Sequence, residues 1–135
     1  MKTSEATTRP PKASQAITPV DAIFRAFADR TRLRIMNLLR QRDEICVCNL
    51  MRVLDVPQAK VSRHLAYLRN AKLVDTRRDG QWIHYRLRPA GGSFHAKMLE
   101  CLSCCLAEVP ELQADYDKLA GREFQCNDNP GGSCC

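Results

Sequence analysis

The chain has 135 residues, a mass of 15.3 kDa, a net charge of +6 and eight cysteines. This length suits one domain, and a hydrophobic share of 44% is enough for a modest core, which argues against a wholly disordered chain. No apolar run approaches the ~20 residues of a membrane-spanning helix, and residues 1–18 have no apolar segment like that of a secretory signal. We therefore expect a cytoplasmic protein without a membrane partner. In that setting eight cysteines indicate thiol or metal chemistry rather than disulfides.

Three helices are predicted in the first part of the chain. Residues 1–18 are rich in Thr, Ser, Pro and Lys, which predicts a flexible arm. Apolar residues at helical spacing then predict three helices, which contain residues 20–27, 33–39 and 47–54. Either Asp29 or Thr31 can cap the second of them.

A fourth helix, basic on its exposed side, follows a break at residues 55–57. Asp55 can cap this helix, Pro57 can lie in its first turn, and the pattern extends to about Leu73. The apolar residues expected to face inward are Val61, Leu65 and Leu68. Two short helices joined by a tight turn, the second one basic, are typical of a helix-turn-helix.

The sequence alternates between apolar and polar residues after residue 73. Two alternating runs, 74–78 and 81–87, flank Asp79-Gly80, a dipeptide that predicts a two-residue hairpin turn. A basic hairpin directly after a recognition helix is a wing. The predicted fold is therefore mostly α with a β-hairpin wing, a winged helix-turn-helix.

The rest of the chain predicts one long helix and an acidic tail. The long helix covers about 93–106, and a shorter helical segment follows Pro110. Residues 106–135 hold six acidic side chains and two basic ones, so the excess positive charge lies earlier in the chain. We expect residues 19–109 to form a DNA-binding and dimerisation domain and residues 110–135 to form a cysteine-containing acidic tail.

Basic side chains on the fourth helix and the hairpin form the predicted DNA-binding surface. A recognition helix fits the major groove, and a wing tip reaches the adjacent minor groove or backbone. The candidate contacts are Gln58, Lys60, Ser62, Arg63 and His64 on the helix, and Arg77, Arg78 and Gln81 at the hairpin tip. The concentration of Lys and Arg favours double-stranded DNA over the alternative, a winged helix that binds protein.

A symmetric homodimer on a palindromic operator is expected, because one small domain makes few phosphate contacts. The apolar stripes of the first and last helices are candidates for the dimer interface. The same stripes also fit ordinary core faces, so the sequence leaves both possibilities open.

The cysteines form three clusters. They are Cys46 and Cys48; Cys101, Cys104 and Cys105; and Cys126, Cys134 and Cys135. Inert buried thiols are the simple alternative, which suits isolated cysteines better than clustered ones. Zinc favours four ligands with histidine often among them, but His64 and His84 lie in the predicted DNA-binding region. A trivalent thiophilic ion that needs two or three thiolates therefore fits better.

Helical geometry distinguishes the first two clusters. Cys101, Cys104 and Cys105 are three and four residues apart, so their thiolates can converge on one face of a helix. Cys46 and Cys48 would lie about 200° apart around a regular helix, so both can bind one ion only if the start of the third helix unwinds. Such unwinding would displace the recognition helix and couple ligand binding to DNA release.

Four motifs carry a family resemblance. Residues 44–50 (Glu-Ile-Cys-Val-Cys-Asn-Leu) closely resemble the metal-binding box of the arsenical-resistance repressors in the ArsR/SmtB family of winged-helix metalloregulators. Residues 27–35, 60–68 and 80–85 are also similar to the family, and the resemblance covers about 19–109. It implies a homodimeric repressor that leaves its operator when trivalent arsenic or antimony, an inducing ligand and not a cofactor, binds cysteine thiolates. The sequence shows no catalytic Cys–His pair or acid–base constellation, so we expect no enzyme.

Departures from the family pattern leave alternatives open. Met51 stands where many relatives carry a third cysteine, which makes the first cluster a two-thiolate site. Other relatives are similar in placing neighbouring cysteines near the last helix, so two candidate sensing sites coexist. His95 and Glu100 do not reproduce the Asp/His ligands of the family's zinc sensors, which disfavours a zinc or cadmium sensor. A thiol redox switch that pairs Cys104 with a tail cysteine is the other alternative.

Overall fold

A computed structural model describes residues 18–121, with the side chains of residues 105–107 excepted. Its elements in chain order are α1 (Val20–Phe27), α2 (Arg30–Gln41), β1 (Ile45–Cys46), α3 (Val47–Leu54), α4 (Gln58–Asn70), β2 (Val74–Asp79), β3 (Trp82–Leu87), α5 (Ser93–Glu108) and α6 (Pro110–Ala120). This confirms the winged helix-turn-helix. Residues 1–17 and the tail cysteines Cys126, Cys134 and Cys135 lie outside the described residues. Within residues 18–121, no helix has the length and apolarity needed to cross a membrane.

Local capping explains most of the helix boundaries. An Asp29 side-chain oxygen accepts a hydrogen bond from the backbone N–H of Arg32 (3.1 Å), which caps α2 as predicted. Asp55 does not cap α4. It ends α3 in the left-handed conformation (φ 57°), which a short polar side chain tolerates, and Pro57 precedes α4. The recognition helix ends at Asn70, earlier than predicted.

The wing is a hairpin extended by a third, short strand. The strand order is β1-β3-β2, with antiparallel pairing throughout, and the hairpin pairing ends at Asp79↔Trp82. The turn therefore consists of Gly80 and Gln81, one residue later than the predicted Asp79-Gly80 turn. Gly80 has a φ of 65°, and a positive φ at the first turn position alone fits a type II′ turn.

One core lies between the helices and the inner face of the wing. The side chains predicted to face inward from α4 are at most 1% exposed: Val61, Leu65 and Leu68. They pack with buried residues of α2, α3 and α5, including Met36, Leu50 and Leu102. This core fixes the orientation of the recognition helix relative to the rest of the domain.

Helix α6 extends the packed unit beyond residue 109. Leu112 and Leu119 are buried, Asp115 is 1% exposed, and the helix contacts α2, α3 and α5. Residues 110–120 therefore form a helix packed on α2, α3 and α5, as the predicted helical segment after Pro110 indicates, and its apolar residues are buried by these helices.

Candidate nucleic-acid interface and thiol sites

The outer face of α4 presents the predicted helix contacts. Gln58, Lys60 and Arg63 are exposed, whereas Ser62 and His64 are half-buried. The first turn of α4 follows directly from the turn after α3, so its polar side chains project from the start of the recognition helix. This arrangement suits contacts to base edges by Gln58 and Lys60 and to phosphates by Arg63.

His64 differs from its neighbours in its electrostatics. Burial lowers the pKa of its imidazole, although the nearby Asp29 carboxylate opposes this shift. The imidazole is therefore neutral at pH 7 and offers one hydrogen-bond donor and one acceptor rather than a positive charge. Any contribution of His64 to DNA binding would come from orienting α4 through hydrogen bonds and not from attraction of a positive charge to phosphate.

The wing places its three predicted contacts differently from one another. Arg78 and Gln81 are exposed close to the turn. Arg77 is also exposed, but its guanidinium donates to both carboxylate oxygens of Glu44 at 2.7–3.1 Å. This hydrogen bonding lowers the pKa of Glu44. Arg77 is thus bound to Glu44, the residue before β1. This side chain was predicted to lie at the hairpin tip, where it would reach DNA.

A second basic surface lies between the end of α4 and the outer edge of β2. It is an open groove of about 440 Å³. The basic side chains that line it are Arg69, Lys72, Arg86 and Arg88. Its one acidic side chain, Asp75, lies 3.7 Å from Arg88. None of these residues was among the predicted contacts, because their convergence depends on the position of β2 beside α4.

Cys46 and Cys48 lie together without any unwinding of α3. The helix begins at Val47, so Cys46 is the extended residue before it and ends β1, while Cys48 lies in the first turn. The Cα atoms are 5.5 Å apart and the two Sγ atoms are in bonding contact. The separation of about 200° expected within a regular helix therefore does not apply, because only Cys48 has helical geometry.

The cysteine pair is buried between α3 and the wing. Cys46 and Cys48 are 2% and 1% exposed, and both pack against Trp82 of β3. Cys46 lies opposite His84 in the β1–β3 pairing, and Cys48 Sγ lies 3.8 Å from the side-chain oxygen of Asn49. Among the described side chains no three of His, Cys, Asp and Glu converge as metal ligands. The pair therefore places two cysteine sulfur atoms side by side in a buried, largely apolar junction.

The second predicted site lies on α5. Cys101 and Cys104 are exposed and three residues apart on this helix. The side chain of Cys105 lies outside the described part of the structure, so the predicted convergence of all three thiolates stays a prediction. Exposed thiols of this kind are open to solvent ions, unlike the buried pair near the wing.

An apolar surface is exposed on α1 and extends to α5. Val20 and Phe24 are 51% and 54% exposed, which is unusual for large apolar side chains. The ring of Phe24 packs against Phe94 with centroids 5.1 Å apart. The predicted α1 stripe consists of Val20, Ile23, Phe24 and Phe27, and of these Ile23 alone is fully buried and serves the core. The stripe thus has an inner part and an exposed outer part.

Comparisons with known proteins place this architecture among bacterial regulators. Residues 29–76 match the family described as bacterial regulatory protein, arsR family. The chain is 46% identical over 98 residues to the arsenical resistance operon repressor of Escherichia coli (strain K12), which covers 73% of this chain and 82% of that protein. HlyU from Vibrio cholerae N16961 has a similar structure, with a TM-score of 0.57, 31% identity, and coverage of 64% of this chain and 90% of that one. The AntR antimony-specific transcriptional repressor has a TM-score of 0.56 at 28% identity, and coverage of 82% and 96%.

Proposed function

Because the chain belongs to the arsR family of bacterial regulatory proteins, we propose that it is a repressor that trivalent arsenic or antimony releases from its operator. It is a DNA-binding transcriptional repressor and not an enzyme. In this proposal the protein acts in the cytoplasm as a homodimer on a palindromic site. The observation that carries the metalloid part is the buried thiol pair at the junction of α3 and the wing.

The DNA-binding part of the proposal rests on the charge and exposure of α4 and the wing. Gln58, Lys60 and Arg63 project from the start of the recognition helix, and Arg78 extends the positive surface along the wing. Ser62, His64 and Gln81 add neutral polar contacts that orient the helix and the wing tip. Arg77 joins them when a phosphate replaces Glu44 as its partner.

The homodimer part rests on the exposed apolar surface of α1. Two copies that bury Val20 and Phe24 against each other would remove a patch that is costly to leave in water. The Phe24→Ser variant should therefore lower the dimer fraction in analytical ultracentrifugation. Tyr116→Ser is the matched control, because Tyr116 is also exposed but lies on α6. Equal dimer fractions for both variants would contradict this interface.

Metalloid binding at the buried pair follows from thiolate chemistry. In the reduced chain each thiol of Cys46 and Cys48 passes its proton to one hydroxide of As(OH)₃. Two S–As bonds form, two As–O bonds break, and two water molecules leave, while the third hydroxide stays on arsenic. Soft thiolates are the ligands that such a thiophilic ion prefers.

The position of the pair gives the bound ion a route to the DNA-binding surface. Both sulfurs are buried against Trp82, so an arsenic atom bound to them adds volume to a packed region beside the indole. We expect Trp82 to shift, and with it the β3 strand of the wing. The same ion holds the first turn of α3, which is the first helix of the helix-turn-helix.

The experiment uses Trp82, the only tryptophan in the chain, as the reporter. Arsenite is added to the reduced protein while tryptophan fluorescence and retention of a DNA duplex are measured. The duplex is selected beforehand from random-sequence DNA by repeated binding to the wild-type chain. We expect a fluorescence change and DNA release at the same arsenite concentrations, and neither response with zinc at equal concentration.

Paired variants assign the response to one cysteine cluster. The Cys46→Ser/Cys48→Ser variant should lose both responses, whereas Cys101→Ser/Cys104→Ser should keep both. Release of DNA from the first variant at wild-type arsenite concentrations would contradict sensing by the buried pair and assign it to α5. Release from neither variant would require both clusters to act together.

The contact between the two sulfurs favours a thiol redox switch as a second candidate function. Oxidation of two thiols by hydrogen peroxide forms one disulfide and two water molecules, and the thiols of Cys46 and Cys48 are close enough to pair directly. This pairing differs from the predicted one between Cys104 and a tail cysteine. Peroxide should then release DNA, and a dithiol reductant should restore binding. Unchanged DNA binding after peroxide treatment would remove this candidate.

A further inference from the structure

Helix α6 contacts the end of α3 that lies farthest from the cysteine pair. Lys118 Nζ donates a hydrogen bond to the backbone oxygen of Val53 at 3.2 Å. Arg34 of α2 donates to the backbone oxygen of Leu54, also at 3.2 Å. The last two residues of α3 therefore each have their carbonyl oxygen bound by a cationic side chain.

Arg34 is itself held in place by α6. The buried carboxylate of Asp115 accepts two hydrogen bonds from the Arg34 guanidinium, at 2.7 and 2.9 Å. The side chains are 15% and 2% exposed, respectively, and the pairing raises the pKa of Arg34. One α6 residue thus binds α3 directly, and another orients the α2 side chain that binds it.

These contacts are located where they can control the recognition helix. The last carbonyl groups of a helix have no partner within the helix and carry the negative end of its dipole, so cationic donors are favourable there. Asp55 follows immediately in the left-handed conformation, and α4 begins at Gln58. A shift at the end of α3 is therefore passed through three residues to the side chains that face DNA.

We propose that α6 is a positioning element of the DNA-binding unit, with Lys118 and Asp115 as positioning residues that fix α4 through the end of α3. This inference rests on the proposed function as a DNA-binding repressor. It assigns a role to residues 110–120 that neither the winged-helix fold nor the cysteine chemistry requires.

The structure provides an internal comparison on the same helix. Arg30 and Glu111 form an ion pair at 2.8 Å that joins α2 to α6 but does not touch α3, and both side chains are more than half exposed. If α6 only stabilises the fold, loss of this pair and loss of the Lys118 contact should change DNA binding by similar amounts. A positioning role predicts that only the Lys118 contact affects DNA binding.

The test compares Lys118→Met with Glu111→Gln. We expect Lys118→Met to weaken binding to the selected duplex about 3- to 10-fold, as the loss of one partly exposed hydrogen bond of ordinary strength implies. Glu111→Gln should bind DNA within about twofold of wild type. Lys118→Arg, which keeps the positive charge, should retain most of the wild-type affinity. In hydrogen–deuterium exchange, residues 50–57 should exchange faster in Lys118→Met and not in Glu111→Gln.

The outcomes separate the two proposals. Wild-type affinity and wild-type exchange at residues 50–57 in Lys118→Met would overturn the positioning role of α6 and leave the repressor function intact. Equal losses of affinity in Lys118→Met and Glu111→Gln would overturn it as well, because both would then report on the attachment of α6 alone. Failure of the wild-type chain to select any duplex would overturn the repressor function, and the role of α6 with it.

Discussion

Replacing Asp115 by Asn removes one partner of a buried ion pair while keeping the shape of the side chain. The Asp115 side chain is 2% exposed, so its carboxylate is almost fully withdrawn from water. Arg34 keeps its hydrogen bond to Leu54 but loses the charge that compensates its own. The variant therefore leaves a largely buried guanidinium without its hydrogen-bonded carboxylate, so that only the more distant charges of Glu111 and Asp55 act on it.

The expected cost follows from this environment. Breaking a buried pair by removing one partner costs about 3–5 kcal/mol. Because the Arg34 side chain is 15% exposed and keeps one hydrogen bond, we expect the lower end, about 3 kcal/mol. No cavity contributes, since Asn and Asp are nearly the same size. For a domain of this size the loss corresponds to a fall in Tm of about 10 °C.

Thermal unfolding followed by circular dichroism measures this loss, with Glu111→Gln as the control. The Arg30–Glu111 pair is exposed, so its loss should cost less than about 1 kcal/mol and should vanish in high salt. The Asp115→Asn deficit should persist in high salt, because buried charges are weakly screened. A Tm within about 3 °C of wild type would refute the reasoning, since the buried pair would then contribute no more than an exposed one.

Three further predictions concern pH, salt and the wing turn. Burial lowers the pKa of His95, so the unfolded chain binds a proton below about pH 6.5 that the folded chain rejects. As the pH decreases below that value, the free energy of unfolding should therefore decrease by at most about 1.4 kcal/mol per pH unit. The decrease should be less steep in His95→Gln. Glu44→Gln should release Arg77 for a phosphate, raising DNA affinity and steepening the dependence of log K on log salt by up to about 0.9. Gly80→Ala should lower the free energy of unfolding by about 1 kcal/mol through its φ of 65° alone, since an added Cβ meets no atom within 4 Å.

Each of these predictions has a measurement and a contradicting outcome. Urea unfolding at pH 7.5 and 5.5 tests His95, and parallel pH profiles of wild type and variant would contradict the assignment. Fluorescence anisotropy of the selected duplex at several salt concentrations tests Glu44, with the exposed Glu100→Gln of α5 as control. An unchanged salt slope would show that Arg77 stays off the phosphates. For Gly80→Ala, a free energy of unfolding equal to that of wild type would refute the strain argument.

The sequence predicted the helices well because their apolar residues recur at helical spacing and become the core. Val61, Leu65 and Leu68 are the clearest case, since the spacing alone selected the buried face of α4. Strand β1 could not be found in this way. It has two residues, and its partner strand begins far along the chain at Trp82, so no local periodicity marks it.

The local geometry of the candidate sites could not be predicted from the sequence. Cys46 and Cys48 were proposed as one site, and their expected divergence around a helix assumed a helical Cys46, whereas it is the extended residue before α3. Cys46 is not a common helix-capping residue, and no capping signal marks Val47 as the first residue of α3. The bond between Arg77 and Glu44 joins residues far apart in the chain, so neither local charge nor spacing reveals it.

If a metalloid binds the cysteine pair as proposed, the contacts at the two ends of α3 give it a way to affect the DNA-binding surface without unfolding a helix. An α-helix of eight residues is about 12 Å long, so a displacement at its first turn reaches its last turn almost undiminished if the helix moves as a rigid body. The contacts of Lys118 and Arg34 hold the last turn, while the cysteine pair joins the first turn to the wing. Under the proposed function, a metalloid between the sulfurs would act on a helix fixed at its far end, and the movement it requires would fall mainly on Trp82 and β3. We therefore expect arsenite to alter hydrogen exchange in residues 82–87 more than in residues 50–57. In Lys118→Met, where the far end is released, the change should spread to both segments.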